Sequence, residues 1–287
     1  MRQFTETIHS DFLIHWTGKD IDENLQPDWN AKKSSITNDK KIVNAYLERF
    51  KNILKYGLWM TRDDAIEMLR VNRQNPPFEI PSVPRICFTE LKLSEARKHA
   101  QKFGRLGIGV KRYFLFDRMG SPMIYIQFET ENIFFPPYSN WFNKTKNEYE
   151  LYSFFKHMCS GRPLTYDLFS ESEWRIIFSE NIKKILGDNN RNEILSLFID
   201  PKNTTIQEIK NFYLSLQGKK PEYLIPLDRW LSIIIFPSPQ VKIAADKDQE
   251  IQQLIEEVKN RPSRTGCPDY EKQMKPIEVD LDACSHF

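Results

Sequence analysis

The chain predicts an α+β fold, because short β-type runs and helical stretches follow one another irregularly, without the regular strand-helix alternation of a doubly wound parallel sheet. Helical spacing is clearest where Ile42, Ala45, Tyr46, Phe50, Ile53 and Leu54 recur, and again at Ile251, Leu254, Ile255 and Val258. Residues 85–89 and 231–236 are compact β-rich runs of strand length. With 287 residues, 40% of them hydrophobic, the chain can bury a substantial core. The expectation is one α+β domain over residues 1–260 and a loosely attached tail over 261–287, where prolines, Gly266 and mixed charge accumulate.

Taken in order, residues 11–17 are rich in β-forming types and read as a strand ending at the polar His15 and Thr17. Residues 18–40 offer only Ile21, Leu25 and Trp29 as core candidates and read as a surface loop. The helix that follows should stop at Gly57, a residue suited to a helix C-terminus. Thr61-Arg-Asp-Asp64 has a capping pattern that predicts a short helix to about residue 71. Four prolines make 75–84 an extended connection, and 85–89 a strand. Ser94 can cap a helix through Lys102 that stops at Gly104, after which 106–113 returns as a strand. The Gly and Pro of 117–122 predict a turn, so 106–113 and 122–128 should form a hairpin. Residues 138–159 read as an aromatic-rich helical region, and 174–178, 222–225 and 231–236 complete the strands.

The 41 basic and 39 acidic residues leave a net charge of +2, so no global field draws the protein to nucleic acid or an anionic membrane. The sequence starts without the apolar stretch of a secretory signal, and its longest apolar run, 230–236, is too short to span a bilayer. A cytoplasmic protein with no membrane association is expected. Four scattered cysteines, Cys87, Cys159, Cys267 and Cys284, have neither zinc-site spacing nor the density of a disulfide scaffold, so no metal centre is expected. Gly104-Arg-Leu-Gly-Ile-Gly109 is not a dinucleotide fingerprint: its spacing is wrong, and it follows a helix and precedes a strand. Gly107 and Gly109 instead allow close approach to a strand. Walker-type, Gly-x-Ser-x-Gly and His-Glu-x-x-His signatures are absent from the sequence, which argues against a P-loop NTPase, an α/β-hydrolase and a zincin.

Three groups of residues can carry chemistry. His15 and Thr17, two apart on one strand, share a face and suit a ligand's hydroxyls or amide; a hydrogen-bonded core histidine is the other reading. Glu171, Glu173 and Arg175 share a strand face, so the arginine can fix one carboxylate while the other meets a ligand; a solvated charged face is the alternative. Phe88, Tyr113, Tyr125 and Trp59 can stack on a planar ring or simply fill a core. The 134–142 segment concentrates further aromatics and suits packing or interaction better than chemistry.

The set Phe12-Leu-Ile-His-Trp-Thr-Gly18, Ile53-Leu-Lys-Tyr-Gly-Leu-Trp59, Cys87-Phe-Thr-Glu90, Phe103-Gly-Arg-Leu-Gly-Ile-Gly109, Pro122-Met-Ile-Tyr125 and Glu171-Ser-Glu-Trp-Arg175 resembles the AbiGi-type abortive-infection proteins of bacteria, over most of residues 11–236. Members are labelled as antitoxins in phage-resistance systems. The opening layout, a strand ending in His-x-Thr and then a helix finishing in Ile-Leu-x-x-Gly-Leu, also resembles DarT-type ADP-ribosyltransferases. That resemblance implies a split mixed or antiparallel sheet flanked by helices, and NAD as substrate. His15 and Thr17 would contact the nicotinamide ribose or amide, Phe88 and Tyr125 would offer stacking faces, and Glu171 and Arg175 would complete the NAD site. Glu173 and His15 would be the catalytic pair, converging on one cleft, with Glu173 stabilising the oxocarbenium-like transition state as nicotinamide leaves. Arg62 is the candidate for the arginine expected early in such sites. Two functions from different classes follow. One is an NAD-using enzyme of antiphage defence that modifies a nucleic-acid or protein acceptor or hydrolyses NAD. The other is a non-catalytic antitoxin that binds a cognate toxin through the aromatics near Trp141 or the late helix.

Overall fold

A computed structural model describes residues 12–25, 39–62, 67–69, 78–80, 82–90, 93–127, 149–158, 172–218, 220–269, 271 and 274–286. Its strands are β1 (Phe12–Thr17), β2 (Leu58–Met60), β3 (Glu67–Leu69), β4 (Phe78–Ile80), β5 (Arg85–Thr89), β6 (Leu106–Lys111), β7 (Ser121–Pro122), β8 (Ile124–Gln127), β9 (Phe155–Met158), β10 (Glu173–Ile177), β11 (Tyr223–Ile225), β12 (Leu231–Phe236) and β13 (Ile277–Asp280). Its helices are α1 (Lys19–Leu25), α2 (Lys40–Tyr56), α3 (Ala96–Phe103), α4 (Arg112–Asp117), α5 (Glu180–Asp188), α6 (Asn192–Leu195), α7 (Gln207–Ser215), α8 (Pro239–Lys247) and α9 (Gln249–Asn260). The arrangement is α+β, with a mixed sheet flanked by helices. No helix among the described residues is long and apolar enough to cross a membrane.

The main sheet has seven strands in the order β13-β12-β6-β1-β5-β10-β7. Only β12 and β13 run parallel; the other described pairs within this sheet are antiparallel. Strand β1 is central, and its alternation sorts the core into two layers. Leu13 joins a large cluster with Phe88, Ile108, Val110, Ile176 and Ile234, covered by Ile42, Tyr46, Phe50, Ile53 and Leu54 of α2 and by α8 and α9. Ile14 and Trp16 face the other way, with Ile233, Ile235 and the α3 residues Ala96 and Ala100. Glycines on β6 make this second layer possible. Gly109 lies opposite Ile14 and Ile233, and a Cβ there would come within 2.1 Å of Ile233 Cγ2. Gly107 is packed similarly beneath Trp16 and Ile235, so the close approach expected at both glycines is made by neighbouring apolar side chains.

Helix α2 forms as its periodicity predicts. Asp39 caps it by accepting the Lys41 N–H at 2.8 Å, and Gly57 ends it with φ of 102° while donating to Ile53 O. The chain then passes into β2, which pairs with β11.

Several expectations need correction. The 18–40 loop opens with α1, seated by the buried Ile21 and Asp22; two inward side chains on seven residues leave too weak a period to detect. Instead of a helix over 61–71, Thr61 bridges to Arg85, and Glu67–Leu69 is a strand paired with β4. Ser94 lies in a 3-10 turn, and α3 begins without a side-chain cap. The strand expected over 106–113 ends at Lys111, where α4 turns Phe114 and Leu115 inward, so Tyr113 is helical. No hairpin joins β6 to β8: β1 and β12 occupy both edges of β6, and β8 pairs in parallel with β9. Within the expected helical region 138–159, Tyr149–Phe154 is a 3-10 helix and Phe155–Met158 a strand. The 261–287 segment is not loosely attached over its described part. It supplies the parallel edge strand β13 and buries Cys267, Leu281 and Cys284.

At Gly57 a Cβ would lie 2.2 Å from Ile225 O, and the positive φ is itself costly for an L side chain. Gly57→Ala is therefore expected to destabilise the protein by roughly 1–3 kcal/mol. A urea denaturation midpoint equal to wild type would show that the α2–β2 junction relaxes freely.

Candidate functional site

The C-terminal end of β1 opens into a cleft of about 210 Å³ lined by residues that include His15, Thr17, Lys19, Asp20, Arg49, Trp59 and Phe103. Each comes from a different constraint. His15 and Thr17 fall on the α2 side of the sheet by alternation from Leu13, and Arg49 flanks the buried α2 stripe of Tyr46, Phe50 and Ile53. Gly18, at φ 96°, turns the chain out of β1 into α1, which brings Lys19 and Asp20 to the rim. Trp59 follows the Gly57 stop.

His15 Nδ1 lies 2.9 Å from the Cys87 carbonyl, which can only accept, so this nitrogen carries the proton. Burial drives the imidazole pKa down to about 4, the Cys87 carbonyl raises it in part, and the Arg49 charge lowers it further. At neutral pH the ring is uncharged, with Nε2 as an acceptor. Thr17 Oγ1 accepts from Arg49 Nη1 at 3.0 Å, leaving its own O–H to donate. Arg49 also grips Asp20 with both nitrogens, Nη1 to Oδ1 at 3.2 Å and Nη2 to Oδ2 at 2.6 Å, and its Cζ lies 5.0 Å from the Trp59 ring centroid. The indole N–H groups of Trp16 and Trp59 are buried without an acceptor among the described residues.

Beneath α1, Asp22 is completely buried, and neither carboxylate oxygen has a hydrogen-bond partner among the described residues. Arg105 Nε stands 3.7 Å away, and the neighbouring Tyr46 hydroxyl donates to Gly18 O. Burial pushes the Asp22 pKa up to about 6, with Tyr46 and Arg105 pulling it back and Asp20 and Glu23 adding to the rise.

Glu173 does not share the cleft with His15. Ile14 pairs with Thr89, and Thr89 with Glu173, so the Glu173 side chain emerges on the Ile14 face, opposite His15. There Arg175 Nε donates to Glu173 Oε1 at 2.7 Å and Nη1 donates to Ser153 O at 2.6 Å, while the Glu173 N–H reaches the Tyr125 hydroxyl at 3.4 Å. Cys87 joins this group, and burial pushes its thiol up to about 12, which keeps it protonated. The sequence-derived set thus divides. Thr17 and Phe88 share the His15 face, with Phe88 buried and its ring 5.8 Å from that of His15, so it packs the core and leaves no face for a ligand. Glu173 and Arg175 lie on the other face, and the Tyr125 hydroxyl meets the Glu173 backbone N–H. Glu171 is outside the described residues.

Arg49, Asp20, Lys19 and Phe103 were not foreseen as site residues. Arg62, the expected arginine, instead binds Glu222 and Ser82 O, and the cationic position at the cleft is filled from α2. Only the place of Arg49, four residues before Ile53 on the border of the buried stripe, hinted at it. Among the described residues no cluster of three His, Cys, Asp or Glu side chains could hold a metal ion. Comparisons of the chain with protein families, with curated proteins and with solved structures find no match.

His15 and Asp22 act on stability in opposite senses. The folded-state pKa of His15 is depressed, so its contribution is lost as pH falls from about 6.5 through 4; that of Asp22 is raised, so its contribution is lost as pH rises from about 4 through 6. Each is on the order of 1–3 kcal/mol. Asp22→Asn removes one arm, and its urea midpoint is expected to drop more steeply than wild type between pH 7 and pH 5. Parallel pH profiles for the two proteins would refute this opposition.

Proposed function

We propose that this is an NAD-binding protein of bacterial antiphage defence, acting in the cytoplasm, and that the His15–Thr17–Arg49 cleft takes the nicotinamide end of the dinucleotide. The observation that carries the reading is the complementary pair on β1. A neutral imidazole acceptor and a hydroxyl donor two residues apart match the N–H and C=O of a carboxamide. The apolar walls of Trp59 and Phe103 suit a flat ring, and the cationic Arg49 suits the adjoining phosphates. At about 210 Å³ the cleft is smaller than the roughly 300 Å³ at which drug-sized ligand sites begin, so it accommodates part of NAD and leaves the adenosine end outside.

The mixed sheet with its central His-x-Thr strand is compatible with an ADP-ribosyltransferase-like arrangement, and the AbiGi-type resemblance supplies the defence context. Transfer of ADP-ribose to a nucleic-acid or protein acceptor needs a carboxylate beside the ribose. Glu173 is on the wrong face for this, and Asp20 is the one acidic residue lining the cleft among the described residues. That separation favours a second reading, a non-catalytic antitoxin that binds a cognate toxin. Its docking surface would not be the apolar side of α9, which is buried against α2 and the sheet. The aromatics near Trp141 lie outside the described residues.

Calorimetry with NAD, with free nicotinamide followed in the same sample, tests the proposal. Binding is expected, weakened about tenfold or more by Arg49→Gln and changed less than about twofold by Glu173→Gln. Affinity lost equally in Glu173→Gln would place the ligand on the other face. No binding at millimolar NAD would leave the partner-binding reading.

A further inference from the structure

The Arg49 guanidinium has the donor geometry to clasp a phosphoryl group, yet its paired N–H groups are filled by a carboxylate of the same chain. Arg49 Nη1 and Nη2 meet the two oxygens of Asp20 as they would meet two oxygens of a phosphate. We infer that Asp20 is an internal stand-in for an anionic ligand, and that a phosphoryl-bearing ligand enters by displacing Asp20 from Arg49. For the identity of that ligand the inference rests on the NAD reading above; for the chemistry of the contact it does not.

Three observations support the exchange. First, the contact is asymmetric: the Arg49 side chain is 16% exposed and held also by Thr17 and Trp59, whereas Asp20 is 60% exposed and, among the described residues, its carboxylate meets Arg49 alone. The arginine is the fixed half and the carboxylate the releasable half. Second, an ion pair this exposed on one side is weak, so a better anion can replace it. Third, Asp20 rides on a helix of seven residues that leaves β1 through Gly18, at φ 96°, where a Cβ would come within 2.5 Å of Tyr46 Cε1. Lys19, also on the rim, would remain to face the incoming anion.

Asp20 in this role sets both affinity and selectivity. A neutral ligand gains nothing from its removal, whereas a phosphorylated one gains the Arg49 donors and escapes repulsion from the carboxylate. The exchange moves charge without making or breaking a covalent bond.

The test is a set of titrations of the full chain with four probes: inorganic pyrophosphate, ADP, NAD and nicotinamide riboside, which has the ring and ribose but no phosphate. Asp20→Asn is expected to tighten pyrophosphate and ADP binding about fivefold and to leave nicotinamide riboside unchanged. Arg49→Gln should abolish the gain in the Asp20→Asn background. Because Asp20 is largely exposed, Asp20→Asn should fold normally, and Asp20→Glu, which restores the carboxylate, should return affinity toward wild type. Equal pyrophosphate affinity in wild type and Asp20→Asn, or a gain that survives Arg49→Gln, overturns the inference. A pyrophosphate gain without binding of NAD or nicotinamide riboside would sustain the exchange and sink the NAD reading. A gain for nicotinamide riboside as large as for pyrophosphate would show that Asp20 merely obstructs the cleft, and would also overturn it.

Discussion

The structure depends on the alternation of one strand. β1 is paired along both edges, so its register is fixed by β5 and β6 together, and a slip by one residue would carry every side chain to the wrong layer. Leu13, His15 and Thr17 are committed to the α2 layer, and Ile14 and Trp16 to the α3 layer. The absence of side chains at Gly107 and Gly109 of β6 keeps this register, because Ile14, Trp16, Ile233 and Ile235 use the space that a Cβ would fill.

The same alternation separates two polar groups that look like one in the sequence. On one face, a neutral histidine, a threonine hydroxyl and an arginine border an open cleft. On the other, Glu173 is bound to Arg175, which also holds the Ser153 carbonyl, in a buried setting where both charges gain from staying paired. The first group has hydrogen-bonding capacity facing a cleft. The second spends its capacity internally, as a buried ion pair that orients β10 against the 149–154 segment.

Much of the fold could be read from sequence. The helix through Ile42 and Leu54, its Gly57 stop, the described part of the 11–17 strand, the strands at 85–89 and 231–236 and the late helix through Ile251 and Val258 all stand where period and punctuation put them. What escaped was non-local. α1 and α4 are too short for a clear period, and the parallel pairings of β8 with β9 and of β12 with β13 depend on partners distant in the chain. In the site, His15 and Thr17 were legible because a strand's two-residue period places them together, and the Glu173–Arg175 pair was legible for the same reason. That the two pairs face apart was not legible, since it follows from the cross-strand register through Thr89. Arg49 was hidden for a different reason: a basic residue at the edge of an amphipathic helix looks like ordinary surface until the fold sets Thr17, Asp20 and Trp59 around it.

The most direct test of this account is a crystal structure of the protein with ADP-ribose. Electron density for the diphosphate against Arg49, with Asp20 moved away and the ribose toward His15 and Thr17, is the result the account predicts. Density beside Glu173 on the opposite face, with the Arg49–Asp20 pair intact, would contradict it.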